Sequence, residues 1–317
     1  MVTIGDVYAA RRRMGHSVRR TPFERSAVLS RLTEAEIWLK LENRQATGSF
    51  KIRGATNRMA LLTAEERACG VVTASSGNHA QGVALAAREL GISAVIVVPA
   101  NTPETKRDAI TALGAELTVH GDEYMQAEQL AQQLSDGRAM TFLSPYDDPE
   151  IIAGQGTVAL EMVEDGPELD VLLVPVAGGG LISGVATVAK GASRAEVIGV
   201  QTEASPVMHQ SIKAGKVISP PLLGTVAEGL HGGIAARSIT FPMCRDRVDH
   251  WIDVPEEAIF EALRLLLLRQ HEVVEGAGAV GIAALLTEPR RFEGRRVGVI
   301  LTGGNIDEAL LRRVVAG

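Results

Sequence analysis

The stretch Val171-Leu172-Leu173-Val174-Pro175-Val176-Ala177-Gly178-Gly179-Gly180-Leu181-Ile182-Ser183-Gly184 decides how the chain is read. Its first half is an apolar, β-branched run of the kind that lies buried on both faces of a parallel sheet. Three consecutive glycines follow, and then an apolar segment that opens a helix. In that order the backbone N–H groups of the turn and the positive end of a helix dipole converge on one point, which makes a phosphate cradle. The glycines fall at 178, 179, 180 and 184, so the pattern is not G-x-G-x-x-G, and no Lys-Ser/Thr ends it as in a nucleotide P-loop. A merely flexible turn is the plainer alternative, but three glycines in a row cost conformational entropy that such a turn has no need of.

Outward from this segment, β-branched apolar runs recur at 71–73, 94–98, 117–119, 197–200 and 297–301, and residues 38–42 are strand-like. Amphipathic segments lie between them, for example Tyr124, Ala127, Leu130 and Leu134 on a background of Glu and Gln. Strands alternating with helices predict an α/β, doubly wound parallel-sheet architecture with right-handed crossovers, in which ligands bind at the carboxyl ends of strands. No linker or internal repeat interrupts the chain. Residues 70–146 hold three strand-helix units and end in the turn-rich Ser144-Pro145-Tyr146-Asp147-Asp148-Pro149. The expected division is therefore a small domain, 70–146, inserted in a large one made of 1–69 and 147–317.

The 317 residues are 46% hydrophobic and 22% charged, the balance of a folded globular chain rather than a disordered one. Lys plus Arg number 32 against 38 Asp plus Glu, a net charge of −6 with no long basic block, so a nucleic-acid partner is not expected. Cys69 and Cys244 are too few for a disulfide scaffold and read as free thiols of a reducing, cytoplasmic setting. Arg11, Arg12, Arg13, Arg19 and Arg20 precede no apolar h-region, and no stretch of 18 apolar residues occurs, so neither secretion nor a membrane span is expected. With 33 glycines and only 3% aromatic residues, a small anionic ligand held by backbone suits the chain better than stacked bases.

Three further segments carry chemistry. Thr47-Gly48-Ser49-Phe50-Lys51-Ile52-Arg53-Gly54 places Lys51 at a helix start after a strand. A cation is disfavoured at the positive end of a helix in a glycine-rich, apolar setting, so its pKa is expected to fall, as an imine-forming lysine requires. Taken alone, a lysine is ordinarily a solvated surface group. Ala74-Ser75-Ser76-Gly77-Asn78-His79 follows the strand at 71–73 and opens another helix, with Ser75 or Ser76 as its expected cap and free N–H groups suited to a carboxylate. Ordinary capping explains such a turn equally well, and a lone His79 is more often structural than a base. Leu301-Thr302-Gly303-Gly304-Asn305 sets a neutral hydroxyl at a strand end, by itself an unremarkable turn.

In this order the four segments resemble the threonine/serine dehydratase (ammonia-lyase) family of fold type II pyridoxal phosphate enzymes, related to serine racemase, over residues 4–313. The resemblance implies two doubly wound parallel-sheet domains and pyridoxal 5'-phosphate as cofactor. It implies that Lys51, after Phe50, carries the cofactor, that Gly178, Gly179, Gly180 and Leu181 grip its phosphate, and that Asn78 meets its ring hydroxyl. Thr302 would face the pyridine nitrogen, and Glu275, in Glu275-Gly276-Ala277-Gly278-Ala279, would lie near the ring. Ser75, Ser76, Gly77 and His79 would hold the substrate carboxylate, with Ser76 also matching the acid/base serine of racemases. The implied reaction removes an α-proton and then the β-hydroxyl from L-threonine or L-serine, giving a 2-oxo acid and ammonia. Racemisation of serine, or dehydration of another 3-hydroxy amino acid such as 3-hydroxyaspartate or a compatible-solute catabolite, is the alternative; a non-enzymatic binding protein is the bland one, against which an intact Lys51 argues.

Two departures from the family pattern stand out. Gln201 and Val207 replace the acidic residues of metal-dependent relatives, so no metal is expected there. The loop Ala227-Glu228-Gly229-Leu230-His231 has Glu where the family has Asp, together with an unexpected His231. The resemblance further implies a homodimer or homotetramer, and, because the sequence stops at Gly317, no appended feedback domain is expected.

Overall fold

The computed structural model describes residues 1–316. Ten strands build two sheets: β1 (Phe23–Arg25), β2 (Glu36–Leu41), β3 (Val71–Ala74), β4 (Ala94–Val98), β5 (Glu116–Val119), β6 (Thr141–Phe142), β7 (Val171–Pro175), β8 (Glu196–Thr202), β9 (His250–Val254) and β10 (Arg296–Leu301). The larger sheet runs β1-β2-β10-β7-β8-β9, parallel except for the antiparallel β1, and the smaller runs β5-β4-β3-β6, all parallel. The apolar runs became strands as expected. The strands missed in the sequence are those without such a run: β1 has three residues, β6 has two, and β9 alternates exposed and buried positions.

Alternate residues of the buried strands enter opposite cores, the period-2 rule of the pleat. Val171 and Leu173 of β7 join one cluster with Ile37, Leu39 and Leu41, while Leu172 and Val174 join another with Leu181 and Ile182. In the smaller sheet Ile96 and Val98 face one side and Val95 and Val97 the other. The expected amphipathic helix runs Tyr124–Arg138 and buries Ala127 and Ala131.

The helix Lys51–Ala60 lies between the two sheet units. Its Ala55 and Met59 belong to the core of the smaller sheet, and its other side meets the helix Pro149–Asp165 of the larger unit. That crossing is tight, because a Cβ on Gly154 would stand 2.6 Å from the Gly54 Cα. Side chains there would push apart the two helices that orient Lys51. Cys69 and Cys244 are free thiols, and no helix among the described residues is long and apolar enough to cross a membrane.

Candidate active site

Three adjacent strands of the larger sheet, β2, β10 and β7, deliver three of the four segments to one edge. Lys51 follows β2, Thr302 follows β10, and the glycine turn follows β7. The smaller sheet supplies the fourth, because Ser75 to His79 leave the carboxyl end of β3. The segments touch. Ser49 and Gly303 form an antiparallel bridge, Phe50 N–H donates to the Thr302 carbonyl (3.2 Å), and Gly304 N–H donates to the Gly48 carbonyl (2.8 Å). Phe50 packs on the cluster that contains Leu181.

Lys51 is the first residue of its helix, whose N-cap, Phe50, offers no side-chain bond. The Lys51 Nζ donates to the Pro145 carbonyl (2.8 Å), a neutral partner. Burial of the amine lowers its pKa to about 8, against the weaker upward pull of Glu275. The expected direction is met, and burial is its cause. Tyr146, the next residue after Pro145, lies on the glycine turn: a Cβ on Gly178 would sit 2.4 Å from its Cγ, and one on Gly180 2.9 Å from its carbonyl oxygen. Gly179 takes φ +88°, a left-handed conformation that glycine adopts freely, and caps the helix Gly180–Ala192 without any side-chain acceptor. The first-turn N–H groups of that helix therefore remain available to an anion.

Across the site, Asn78 Nδ2 donates to Glu275 Oε1 (2.6 Å), while Asn78 Oδ1 accepts from Asn305 Nδ2 (2.7 Å). Both ends of the Asn78 amide are thus fixed. Burial raises the Glu275 pKa to about 7, although the Asn78 bond opposes it. Gly303 lies close by, since a Cβ there would meet Glu275 Oε1 at 2.4 Å. Thr302 is buried.

The turn at 75–79 differs from expectation in its capping. The N-cap of the helix Asn78–Leu90 is Gly77, not a serine, because the Ser75 hydroxyl turns back to accept the Gly77 N–H (3.3 Å). Ser76 is half-buried. His79 is buried with Nε2 3.1 Å from the Leu143 carbonyl and Nδ1 without a partner. Burial, then the charge of Lys51, pushes its pKa down to about 3, so it is a neutral donor to Leu143 rather than a base at neutral pH.

Sequence reasoning passed over Pro145, Tyr146 and Asn305 as members of the site. The first two lie in the Ser-Pro-Tyr turn at the expected domain edge; it follows β6, whose two residues form no apolar run and so leave no mark of a strand end in the sequence. Gln201, noted as a departure, donates from Nε2 to the carbonyls of Val176 (3.2 Å) and Ser205 (3.4 Å) and accepts the His209 N–H, with Val207 buried beside it. Among the described residues no group of three or more His, Cys, Asp or Glu side chains is placed to hold a metal ion.

These groups fit pyridoxal phosphate: an amine near neutrality for its aldehyde, an uncapped three-glycine helix start for its phosphate, and an Asn78–Glu275 pair with Thr302 for its ring. The comparisons agree. The family described as "Pyridoxal-phosphate dependent enzyme" matches residues 15–303. The L-threonine ammonia-lyase of Thermotoga maritima is 44% identical over 99% of this chain and 78% of its own length. The catabolic L-threonine dehydratase of Escherichia coli strain K12 is 39% identical over 96% of this chain and 94% of its own length. The solved structure of maize serine racemase matches with a TM-score of 0.93 at 34% identity, covering 99% of this chain and 97% of that one. With its fold, its site and its relatives in accord, the chain belongs to the pyridoxal-phosphate dependent enzymes.

Proposed function

We propose that this chain is an ammonia-lyase that converts L-threonine, L-serine or both to a 2-oxo acid and ammonia. The observation that carries the reading is the amine of Lys51, desolvated to a pKa of about 8 beside a neutral carbonyl, at a site where Asn78, Glu275, Thr302 and the 178–180 turn converge. The relatives named for L-threonine support the substrate class.

Once bound, pyridoxal phosphate supplies the conjugated electron sink that loosens the proton on the substrate's α-carbon. The residues do the rest. As a free amine, Lys51 Nζ takes that proton, which its lowered pKa permits near neutral pH. The backbone of Gly178, Gly179, Gly180 and Leu181 would anchor the phosphate, with Phe50 packed on the cluster that contains Leu181. Ser75, Ser76, Gly77 and the start of the helix at Asn78 receive the substrate carboxylate. His79 holds that turn to Leu143. Thr302 would present a neutral hydroxyl to the ring of the cofactor, where a carboxylate would favour a protonated ring nitrogen, and this would favour loss of the β-hydroxyl over return of the α-proton.

A panel of 3-hydroxy amino acids, scored for 2-oxo acid and ammonia, tests the proposal. Turnover of threonine or serine above all others supports it; turnover only of 3-hydroxyaspartate or another member moves the assignment to that substrate. Likeness to a serine racemase favours a second reading, isomerisation with Ser76 as the opposite proton donor. Chiral analysis of incubated L-serine separates the two, and Ser76→Ala removes racemisation while sparing elimination. The same reading takes 70–146 as the substrate-gating unit, and the working protein as a cytoplasmic homodimer or homotetramer.

A further inference from the structure

Two charged side chains near Glu275 face each other from different sheet units. Lys106 belongs to the helix Glu104–Ala112, which packs beside β5 in the smaller sheet, and Glu228 opens the 3-10 turn Glu228–Leu230 of the larger unit. Lys106 Nζ donates to Glu228 Oε2 at 2.8 Å. Nothing in their sequence separation of 122 residues brings them together; only the closure of one sheet unit on the other does.

The Glu228 turn is pressed onto the site. A Cβ on Gly276 would stand 2.1 Å from the Val226 carbonyl oxygen, and one on Gly229 3.9 Å from Glu275 Oε1. The turn therefore cannot shift without disturbing the backbone around Glu275. On the other side, the smaller unit carries the Ser75–His79 turn proposed to receive the substrate carboxylate. An ion pair that joins these parts acts alongside the Asn78–Glu275 bond in setting how far the turn of the smaller unit stands from Glu275.

We propose that Lys106 and Glu228 are a positioning pair, an electrostatic latch that holds the smaller sheet unit closed over bound substrate. The inference rests on the proposed function for its substrate and adds a specific control of that site. Both groups are partly solvated, with side-chain exposures of 28% and 67%, which suits a latch that must open for each product to leave. The pair also bears on Glu275: burial raises its pKa, and of the charged groups facing it Lys106 and Lys51 lower it while Glu228 raises it, with the Asn78 bond lowering it as well.

The test uses the holoenzyme, with Lys106→Met, Glu228→Gln and the exchange Lys106→Glu with Glu228→Lys. Each single variant should raise KM several-fold, up to about fivefold for a solvated pair, with kcat changed less than about twofold. High salt should raise the wild-type KM and leave that of the single variants unchanged. The exchange should restore KM. The pH inflection of Glu275 should move up in Lys106→Met and down in Glu228→Gln, opposite shifts that general damage to the fold does not produce. Hydrogen exchange should quicken over 104–112 and 226–230 in both single variants, a readout that needs no turnover. Unchanged KM and exchange in the single variants, or an exchange variant no better than they are, overturns the latch. If no 3-hydroxy amino acid is turned over at all, the proposed function fails, and the hydrogen-exchange result alone then upholds or overturns the latch.

Discussion

Two lysines of this chain lie in the interior within twelve positions of one another, and their surroundings could hardly differ more. Lys40, without exposed surface, donates to Glu161 (2.5 Å) and to the Thr21 carbonyl (2.7 Å). Beside it the Arg53 guanidinium reaches Glu42 through two bonds of 2.8 and 2.7 Å and Glu161 through two more of 2.7 and 2.9 Å. Two cations face two carboxylates, and every charge is matched. Burial works to lower Lys40, opposed by Glu161; for Glu42 burial works upward, and Arg53, Lys40 and the Thr21 bond together hold its carboxyl below its ordinary range. Around Lys51 the partners are neutral: a carbonyl for the amine, an amide for Glu275, a carbonyl for His79. There burial decides, and the amine and carboxyl move to about 8 and about 7. Matched charges in the interior make a fixed brace; unmatched ones make groups that exchange protons near neutral pH. Arg53, two residues from Lys51 and on the same helix, ties the reactive lysine to that brace.

Substitutions in the two clusters should divide cleanly. Lys51→Ala should cut ammonia release by about 10³-fold or more while leaving the thermal midpoint close to wild type, because it removes the proton acceptor and no matched charge. Arg53→Ala should do the reverse in kind: it strands Glu42 and Glu161 and should cost about 3–5 kcal/mol of stability, read from thermal or urea unfolding. Equal loss of stability in both variants would break the comparison. A smaller effect comes from Glu275→Gln. Glu275 draws the Lys51 pKa upward, so its removal should move the acid-side limb of the activity profile, where the free amine is lost as pH falls through about 8, to lower pH. Smallest is Asn78→Ala. Its amide lowers the Glu275 pKa, so the carboxyl should stay neutral to higher pH, and the inflection near 7 should shift upward.

Much of this was legible in the sequence because it follows from local pattern. A buried parallel strand must be apolar on both faces, so β3, β4, β7, β8 and β10 showed as runs, and each chemical segment sits in the loop after such a strand or, for Lys51, after β2. What stayed hidden depends on long-range pairing. The edge strand β9 carries His250 and Asp253 and lacks a continuous run. The acceptor for Lys51 is a main-chain carbonyl 94 positions away, which leaves no mark in residue identity. The serine cap failed for a related reason: with Gly77 at the helix start, the Ser75 hydroxyl was closer to its own turn than to the helix.

The division between the two lysines is tested most directly by the pH dependence of cofactor capture. Apo-protein is mixed with pyridoxal phosphate at a series of pH values, the adduct is fixed with borohydride, and the labelled peptide is identified by mass spectrometry. Label on Lys51 alone, with a rate that rises through a midpoint of about 8, is the expected result. Label on other lysines to the same extent, or a midpoint at the ordinary lysine value of about 10.4, would contradict it.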